Sequence, residues 1–254
     1  MLTPISPIEP VAPWLGGKHR LAATLAERIA RIPHRTYAEP FVGMGGVFFR
    51  RAAKPPAEVV NDIDGEIINL FRILQRHYPQ FIDVLRFQVT SRAEFLRLRA
   101  VPAETLTDLE RAARFLYIQR LAFGGQKRGV FGVAPDRPAR FDLSTLEPML
   151  AEAHERLGGV TFEQLDWPEF IRRYDRPETL FYLDPPYFGG EADYGRSVRS
   201  AEAGAASRRA MRSGRITTGT PGARGRRAWR RRASFRHART RGRARSRSVG
   251  ALAH

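Results

Sequence analysis

The stretch that most limits what this chain can become is Thr179-Leu180-Phe181-Tyr182-Leu183-Asp184-Pro185-Pro186-Tyr187-Phe188. Four apolar or aromatic residues run from Leu180 to Leu183 and then meet two prolines. A short apolar run bounded by turn residues reads as a buried strand. Proline lacks an N–H and has a fixed φ, so Pro185 and Pro186 end the ladder. Asp184 is thereby expected at the carboxyl end of a central strand, where open α/β sheets place their ligands. Asp184, the Pro185 carbonyl and the Tyr187 ring are then expected to face one pocket.

Those groups suit a particular chemistry. An exocyclic amine on a nucleobase is a poor nucleophile because its lone pair is delocalised into the ring. Two acceptors aimed at its hydrogens, Asp184 and the Pro185 carbonyl, would draw that lone pair out and point it at an electrophile. Tyr187 offers a flat face on which an extruded base can stack. The plainer reading is a strand that ends in a Pro-Pro turn with a capping Asp.

Upstream, Trp14-Leu15-Gly16-Gly17-Lys18 combines a glycine pair with a point charge suited to an anion, or it is simply the turn that opens a helix over 21–32. Tyr37 to Phe41 reads as a short strand. The glycine-rich turn Val42-Gly43-Met44-Gly45-Gly46 follows, and then a helix to about Ala53. This resembles the first turn of a nucleotide-binding unit, without the third glycine of GxGxxG. Ala57-Glu58-Val59-Val60-Asn61-Asp62 reads as a second strand ending in an acid. Asp62 lies 19 residues after Gly43, the spacing at which an acid meets ribose hydroxyls; the competing role is N-cap of the helix over 64–77.

From Phe81 to Phe123 the apolar periodicity is helical and no strand intervenes, which suggests a subdomain inserted into a βαβ sheet. It ends in Phe123-Gly124-Gly125-Gln126-Lys127-Arg128-Gly129-Val130-Phe131, which has hairpin character. There Gln126 and Arg128 are suited to base edges and Lys127 to phosphate, though each also fits an ordinary solvated loop. The sheet resumes over 159–164. A helix from Trp167 to Tyr174 follows, with Asp166 as its cap or as a contact to an adenine.

The four motifs in this order resemble the Dam-like DNA adenine-N6 methyltransferases, particularly the short phage and prophage members. The likeness rests on Trp14-Leu15-Gly16-Gly17-Lys18, Glu39-Pro40-Phe41-Val42-Gly43-Met44-Gly45, Asn61-Asp62-Ile63-Asp64 and Asp184-Pro185-Pro186-Tyr187, and covers about residues 10–195. It implies a Rossmann-like, S-adenosyl-L-methionine-dependent α/β sheet. Its cofactor-binding first part would occupy 1–78, a helical target-recognition insertion 79–145, and a catalytic second part 146–195. It implies that Trp14, Lys18, Phe41, Gly43, Gly45, Asp62 and Asp184 line the cofactor, and that Asp184, Pro185 and Tyr187 handle the reacting adenine. It further implies that Gln126, Lys127 and Arg128 meet the DNA. The missing third glycine fits a cofactor with no pyrophosphate. The partner is double-stranded DNA with the target base flipped out, and no metal is called for. Other substrates weighed are cytosine N4 or an RNA base.

The formal net charge of +17 is concentrated at one end. Residues 203–254 hold 16 of the 43 basic residues, all Arg, and no acid, so positions 1–202 carry 27 basic against 26 acidic groups. In that segment Arg, Ala, Gly, Ser and Thr make up 43 of 52 residues, a composition without apolar periodicity and poor in core-forming side chains. No strand is expected there, and the family's remaining strands are expected to be missing, leaving the Asp184 strand bare at one edge and the enzyme weakened or inactive. Two readings of residues 196–254 stay open: a disordered basic tail that grips phosphate, which as a non-catalytic DNA-binding device is the alternative function, or translation out of frame in a GC-rich gene. With no cysteine, no membrane-length apolar run and no signal-like N-terminus, a cytoplasmic protein is expected.

Overall fold

The computed structural model describes residues 2–14, 20–126, 129–132, 136, 138–185 and 216–218. Its centre is a parallel sheet built from Thr36–Glu39 (β2), Ala57–Asn61 (β4), Thr161–Glu163 (β5), Thr179–Leu183 (β6) and Ile216–Thr218 (β7), in the order β5-β4-β2-β6-β7. A small antiparallel pair, Thr3–Pro4 (β1) with Ala53–Lys54 (β3), lies apart from it. The chain adds strands outward from β2 in one direction, then returns to add β6 and β7 in the other. The reversal therefore falls between β2 and β6, which pair from Thr36–Thr179 to Ala38–Phe181. The crevice at the carboxyl ends of such a pair is where open parallel sheets bind ligands.

Strand alternation sorts the core into two faces. Tyr37, Val60, Leu180 and Tyr182 point into a large cluster that also contains Leu25, Ile29, Phe48, Phe71 and Leu74. Ala38, Val59, Phe181 and Leu183 point the other way, onto Phe170 of the helix Trp167–Tyr174 (α7). β6 is buried on both faces, all five of its residues, as a central parallel strand must be. α7 has the limits its sequence predicts, and the Asp166 side chain accepts from the Trp167 N–H at its start. Helix Ala22–Ala30 (α1) and helix Gly65–Arg76 (α2) contribute to the large cluster. The N-cap of α2 is Asp64, whose side chain accepts from the Glu66 N–H.

Over 81–123 the chain is helical, as its periodicity predicts: Tyr78–Arg86 (α3), Arg92–Ala100 (α4) and Asp108–Leu121 (α5). A further helix, Leu143–Leu157 (α6), begins near the expected end of the insertion at 145 and is not expected from the sequence. A capping box between Thr107 and Glu110 starts α5. The insertion shares the large cluster with the sheet through Phe81, Phe95, Phe115 and Leu116. Arg111 of α5 is paired with Glu66 of α2, and the Asn69 side chain donates to the Asp108 carbonyl at 2.7 Å.

Two expectations need correction. The helix expected after the glycine turn, to about Ala53, does not form: residues 47–50 continue the turns that begin at Gly43, and Ala53 is drawn into the antiparallel pair with Pro4. The second concerns the segment where no strand is expected: Ile216-Thr217-Thr218 pairs in parallel with Phe181-Tyr182-Leu183. Its three β-branched residues suit a pleat, and three residues are too few to show a period. The outer edge of β6 is therefore covered. The other expectations for residues 186–215 and 219–254 lie outside the described residues.

Candidate active site

The carboxyl edge of the sheet is organised by Asn61, the last residue of β4, which is 1% exposed. Its side-chain amide donates to the carbonyls of Pro40 at 2.9 Å and Leu165 at 3.0 Å, and its oxygen accepts from the Leu165 N–H at 2.7 Å. Its own carbonyl accepts from the Val42 N–H. One side chain thus ties together the loops that follow β2, β4 and β5. Replacing Asn61 with leucine should destabilise the fold by about 2–5 kcal/mol, since several backbone groups lose their partners at once. Urea denaturation checks this, and a change under about 0.5 kcal/mol would show that water satisfies those groups instead.

Asp62 follows directly. One carboxylate oxygen accepts from the Gly43 N–H at 2.9 Å and the other from the Asp64 N–H at 3.0 Å. Asp62 is therefore locked against the glycine turn and is not the cap of α2. Gly43 also lies under Trp14: a Cβ at residue 43 would sit 2.8 Å from the indole nitrogen. The other side of this segment is held by the insertion. Gln119 of α5, 1% exposed, donates to the carbonyls of Pro13 at 2.8 Å and Gly125 at 2.6 Å. A Cβ at residue 125 would meet the Pro13–Trp14 backbone at 3.0 to 3.1 Å. Trp14, Gly43 and Asp62, far apart in the chain, are thus brought together, with the insertion buttressing them.

Asp184 and Pro185 lie immediately beyond β6. Phe41 is half-buried and packs on the α7 face with Leu165 and Ile171. Gly45 lies against Phe49. Gln126 is exposed at the end of the insertion, where Ala122 bridges to Phe131 in antiparallel fashion and the Phe123 N–H donates to the Val130 carbonyl. Lys18, Lys127, Arg128 and Tyr187 lie outside the described residues.

One acid at this edge has no counterpart among the expected site residues. Glu39 ends β2, is 2% exposed, and accepts a hydrogen bond from the Tyr37 hydroxyl at 2.6 Å. Burial pushes its carboxyl up to about 8. The Tyr37 bond and the Arg51 charge oppose this, while the charges of Asp184 and Asp62 add to it. Between the ordinary value of 4.5 and about 8, the folded chain holds a proton that the unfolded chain releases. Stability from this group is complete below that window and is lost as pH rises through it. The melting temperature is accordingly expected to fall from pH 5 to 8 more steeply in the parent than in Glu39→Gln. Parallel profiles would contradict the assignment.

The model of the D12 class N6 adenine-specific DNA methyltransferases matches residues 14–202. The chain belongs to this family. The chain is 31% identical over 193 residues to the Type II methyltransferase M1.LlaDCHI of Lactococcus lactis subsp. cremoris, a match that covers 71% of this chain and just under two thirds, 66%, of that protein. It is 30% identical over 185 residues to the DNA N-6-adenine-methyltransferase of Escherichia phage P1, covering 68% of this chain and 23% of that protein. It is 24% identical over 193 residues to the Type II methyltransferase M.CviBI of Paramecium bursaria Chlorella virus NC1A, covering 74% and 72%. No helix among the described residues is long and apolar enough to cross a membrane.

The arrangement suits an adenosine-bearing cation. Asp62 is pinned by two backbone amides, and a carboxylate has about four lone-pair sites with which to meet ribose hydroxyls as well. The Trp14 indole fills the space that a Cβ at residue 43 would need, so glycine there lets the indole pack directly on the turn. The acids at the tips of β4, β2 and β6 favour a positive charge.

Proposed function

We propose that this chain transfers the methyl group of S-adenosyl-L-methionine to the N6 amino group of adenine in duplex DNA at specific sites. The observation that carries this reading is the position of Asp184. It stands at the carboxyl end of a doubly buried strand, next to the point where the strand order reverses, with Pro185 behind it. When bound, the cofactor supplies an electrophilic methyl group on a positively charged sulfur. Trp14, the Gly43–Gly45 turn and Asp62 hold the adenosine and methionine parts, and Lys18 and Phe41 complete the contacts. Asp184 and the Pro185 carbonyl accept from the two amino hydrogens of an adenine flipped from the duplex and stacked on Tyr187. This localises the nitrogen lone pair and aims it at the methyl carbon. Transfer would be one direct displacement, in which the bond from carbon to sulfur breaks as the bond to nitrogen forms, S-adenosylhomocysteine leaves and the surplus amino proton passes to solvent. Positioning and acceptors matched to the charge appearing on nitrogen would drive it. The insertion reads the target, Gln126 and Arg128 at base edges and Lys127 at phosphate.

The test is tritiated methyl incorporation from S-adenosyl-L-methionine into duplex DNA, with an RNA of the same sequence alongside. Label in the duplex alone is expected. Label in RNA, or in neither, would overturn the reading.

A further inference from the structure

Gln119 lies near the end of α5 and is 1% exposed. Both hydrogens of its one side-chain nitrogen are committed. One goes to the Pro13 carbonyl at 2.8 Å and the other to the Gly125 carbonyl at 2.6 Å. Pro13 precedes Trp14, which packs on the glycine turn. Gly125 precedes Gln126, the first of the residues assigned above to reading the target. A single buried amide therefore ties the segment assigned to the cofactor to the loop assigned to the DNA.

Its chemistry is not that of a packing residue. The Gln119 side-chain oxygen lacks a hydrogen-bond partner among the described residues. A buried acceptor left unmet is unfavourable, and a methionine of similar volume would carry no such penalty. What glutamine has and methionine lacks is the pair of donors on one nitrogen. The two parts that those donors join are each held elsewhere. The Ile8 N–H donates to the Phe49 carbonyl at 2.9 Å, and Arg120, next to Gln119, donates to the Val11 carbonyl at 2.7 Å. On the loop, the Gly129 N–H donates to the Gln126 carbonyl at 2.8 Å, and Arg99 of α4 donates to the Gly129 carbonyl at 3.1 Å. The two parts also touch directly. Gly125 takes a φ of +66°, and a Cβ there would lie 3.0 Å from the Pro13 carbonyl carbon. The loop rests backbone against backbone on the Pro13–Trp14 segment, and Gln119 fixes where on that segment it rests.

We propose that Gln119 is a specificity-determining positioning residue, which sets the register between the recognition loop and the cofactor site. This rests on the function proposed above. Discrimination among sites is a difference between the right sequence and the wrong ones. It requires the groups that read base edges to stand at one fixed distance from the adenine that reacts. With the amide in place, the loop and the Trp14 segment share one anchor on α5. Without it they still touch but can slide, and displacements of about 1 Å are enough to change rates greatly. Near-cognate sites then find loop positions that accept them. The same slippage moves Pro13 and with it Trp14, so cofactor binding weakens together with discrimination. Asp184 lies past the end of β6 and keeps its place.

The experiment treats long duplex DNA of mixed sequence with the full chain and S-adenosyl-L-methionine, and maps N6-methyladenine by direct sequencing. The parent is expected to mark one dominant sequence. Gln119→Met should raise the rate at sites differing by one base pair, relative to the dominant site, by about tenfold. It should also raise the KM for S-adenosyl-L-methionine by about threefold or more. A purely structural role would lower the rate at all sites alike and leave their ratios unchanged. Gly125→Ala approaches the same contact from the other side, since its Cβ would push on the Pro13–Trp14 backbone, and it should give the same paired change. It decides the matter if Gln119→Met does not fold. Parent-like ratios among sites in either folded variant, or relaxed ratios with an unchanged KM for the cofactor, would overturn the proposal and leave the functional reading intact. A folded parent that marks no adenine would overturn the functional reading and this proposal with it.

Discussion

Replacement of Asp184 by alanine is expected to lower the rate of methyl transfer by about a thousandfold or more, while duplex DNA affinity stays within about twofold. The size of the kinetic effect follows from removing a preorganised acceptor aimed at the charge that develops in the transition state, together with loss of the geometry it imposes on the amine. Asp184→Asn is expected to be nearly as poor. The amide keeps the shape but presents an N–H where an acceptor is needed. Asp184 lies past the end of β6, so neither substitution should disturb the five buried residues of that strand. Unchanged circular dichroism would confirm that activity rather than folding was lost. A rate within tenfold of the parent would remove Asp184 from the chemistry.

The second large effect is structural. Glu58 of β4 is 5% exposed and is paired with two arginines that are themselves buried, Arg51 and Arg156. Arg156 grips it with both terminal nitrogens, at 2.7 and 2.8 Å. The arginine faces are covered by aromatic rings: Arg51 over Tyr37, and Arg156 4.0 Å from the centre of Phe48. Even so, Arg51 Nε and Nη1 and Arg156 Nε lack hydrogen-bond partners among the described residues. Two cations against one anion leave the group with little margin. Glu58→Gln is expected to cost about 3–5 kcal/mol, the range for stranding a buried charge, against a total stability of about 5–15 kcal/mol. Urea denaturation should show a much lower midpoint or no folded baseline. Replacing all three residues together, Arg51→Met, Glu58→Leu and Arg156→Met, should recover most of that loss, because a well-packed apolar set of similar volume has no charges to desolvate. A Glu58→Gln protein as stable as the parent would mean that water or a bound anion reaches the arginines.

The contrast between these two residues shows what a single sequence makes visible. Asp184 is legible because its neighbours carry the information: an apolar run before it and prolines after it place the residue in the fold without knowledge of anything distant. α7 is legible for a similar reason, with an Asp cap, a Pro in the first turn and an apolar face in eight residues. Glu58 reads only as a polar residue in a strand, since its partners lie 7 and 98 positions away. Asn61 is equally silent, although a buried amide beside an acid at a strand end was a signal that could have been taken up. Glu39 is silent as well, because its raised proton affinity comes from burial and from the acids that end the two neighbouring strands.

The local errors have local causes. Gly43 and Gly45 signal a turn, which they form with positive φ, but whether a helix follows depends on the pairing of Ala53–Lys54 with Thr3–Pro4, which lies about 50 positions away in the chain. Ile216–Thr218 is a strand through its partner, β6, rather than through its own surroundings of Arg, Gly and Ser. Pairing with β6 also removes the reason for expecting a bare edge beside Asp184.

The central claim is the identity of the atom that receives the methyl group. Duplex DNA treated with the full chain and S-adenosyl-L-methionine should be digested to nucleosides and the products separated by mass spectrometry. The account predicts N6-methyl-2′-deoxyadenosine as the methylated product, and its disappearance with Asp184→Ala. Methyl groups found on cytosine N4, or no methylated nucleoside from a folded chain that binds the cofactor, would contradict it.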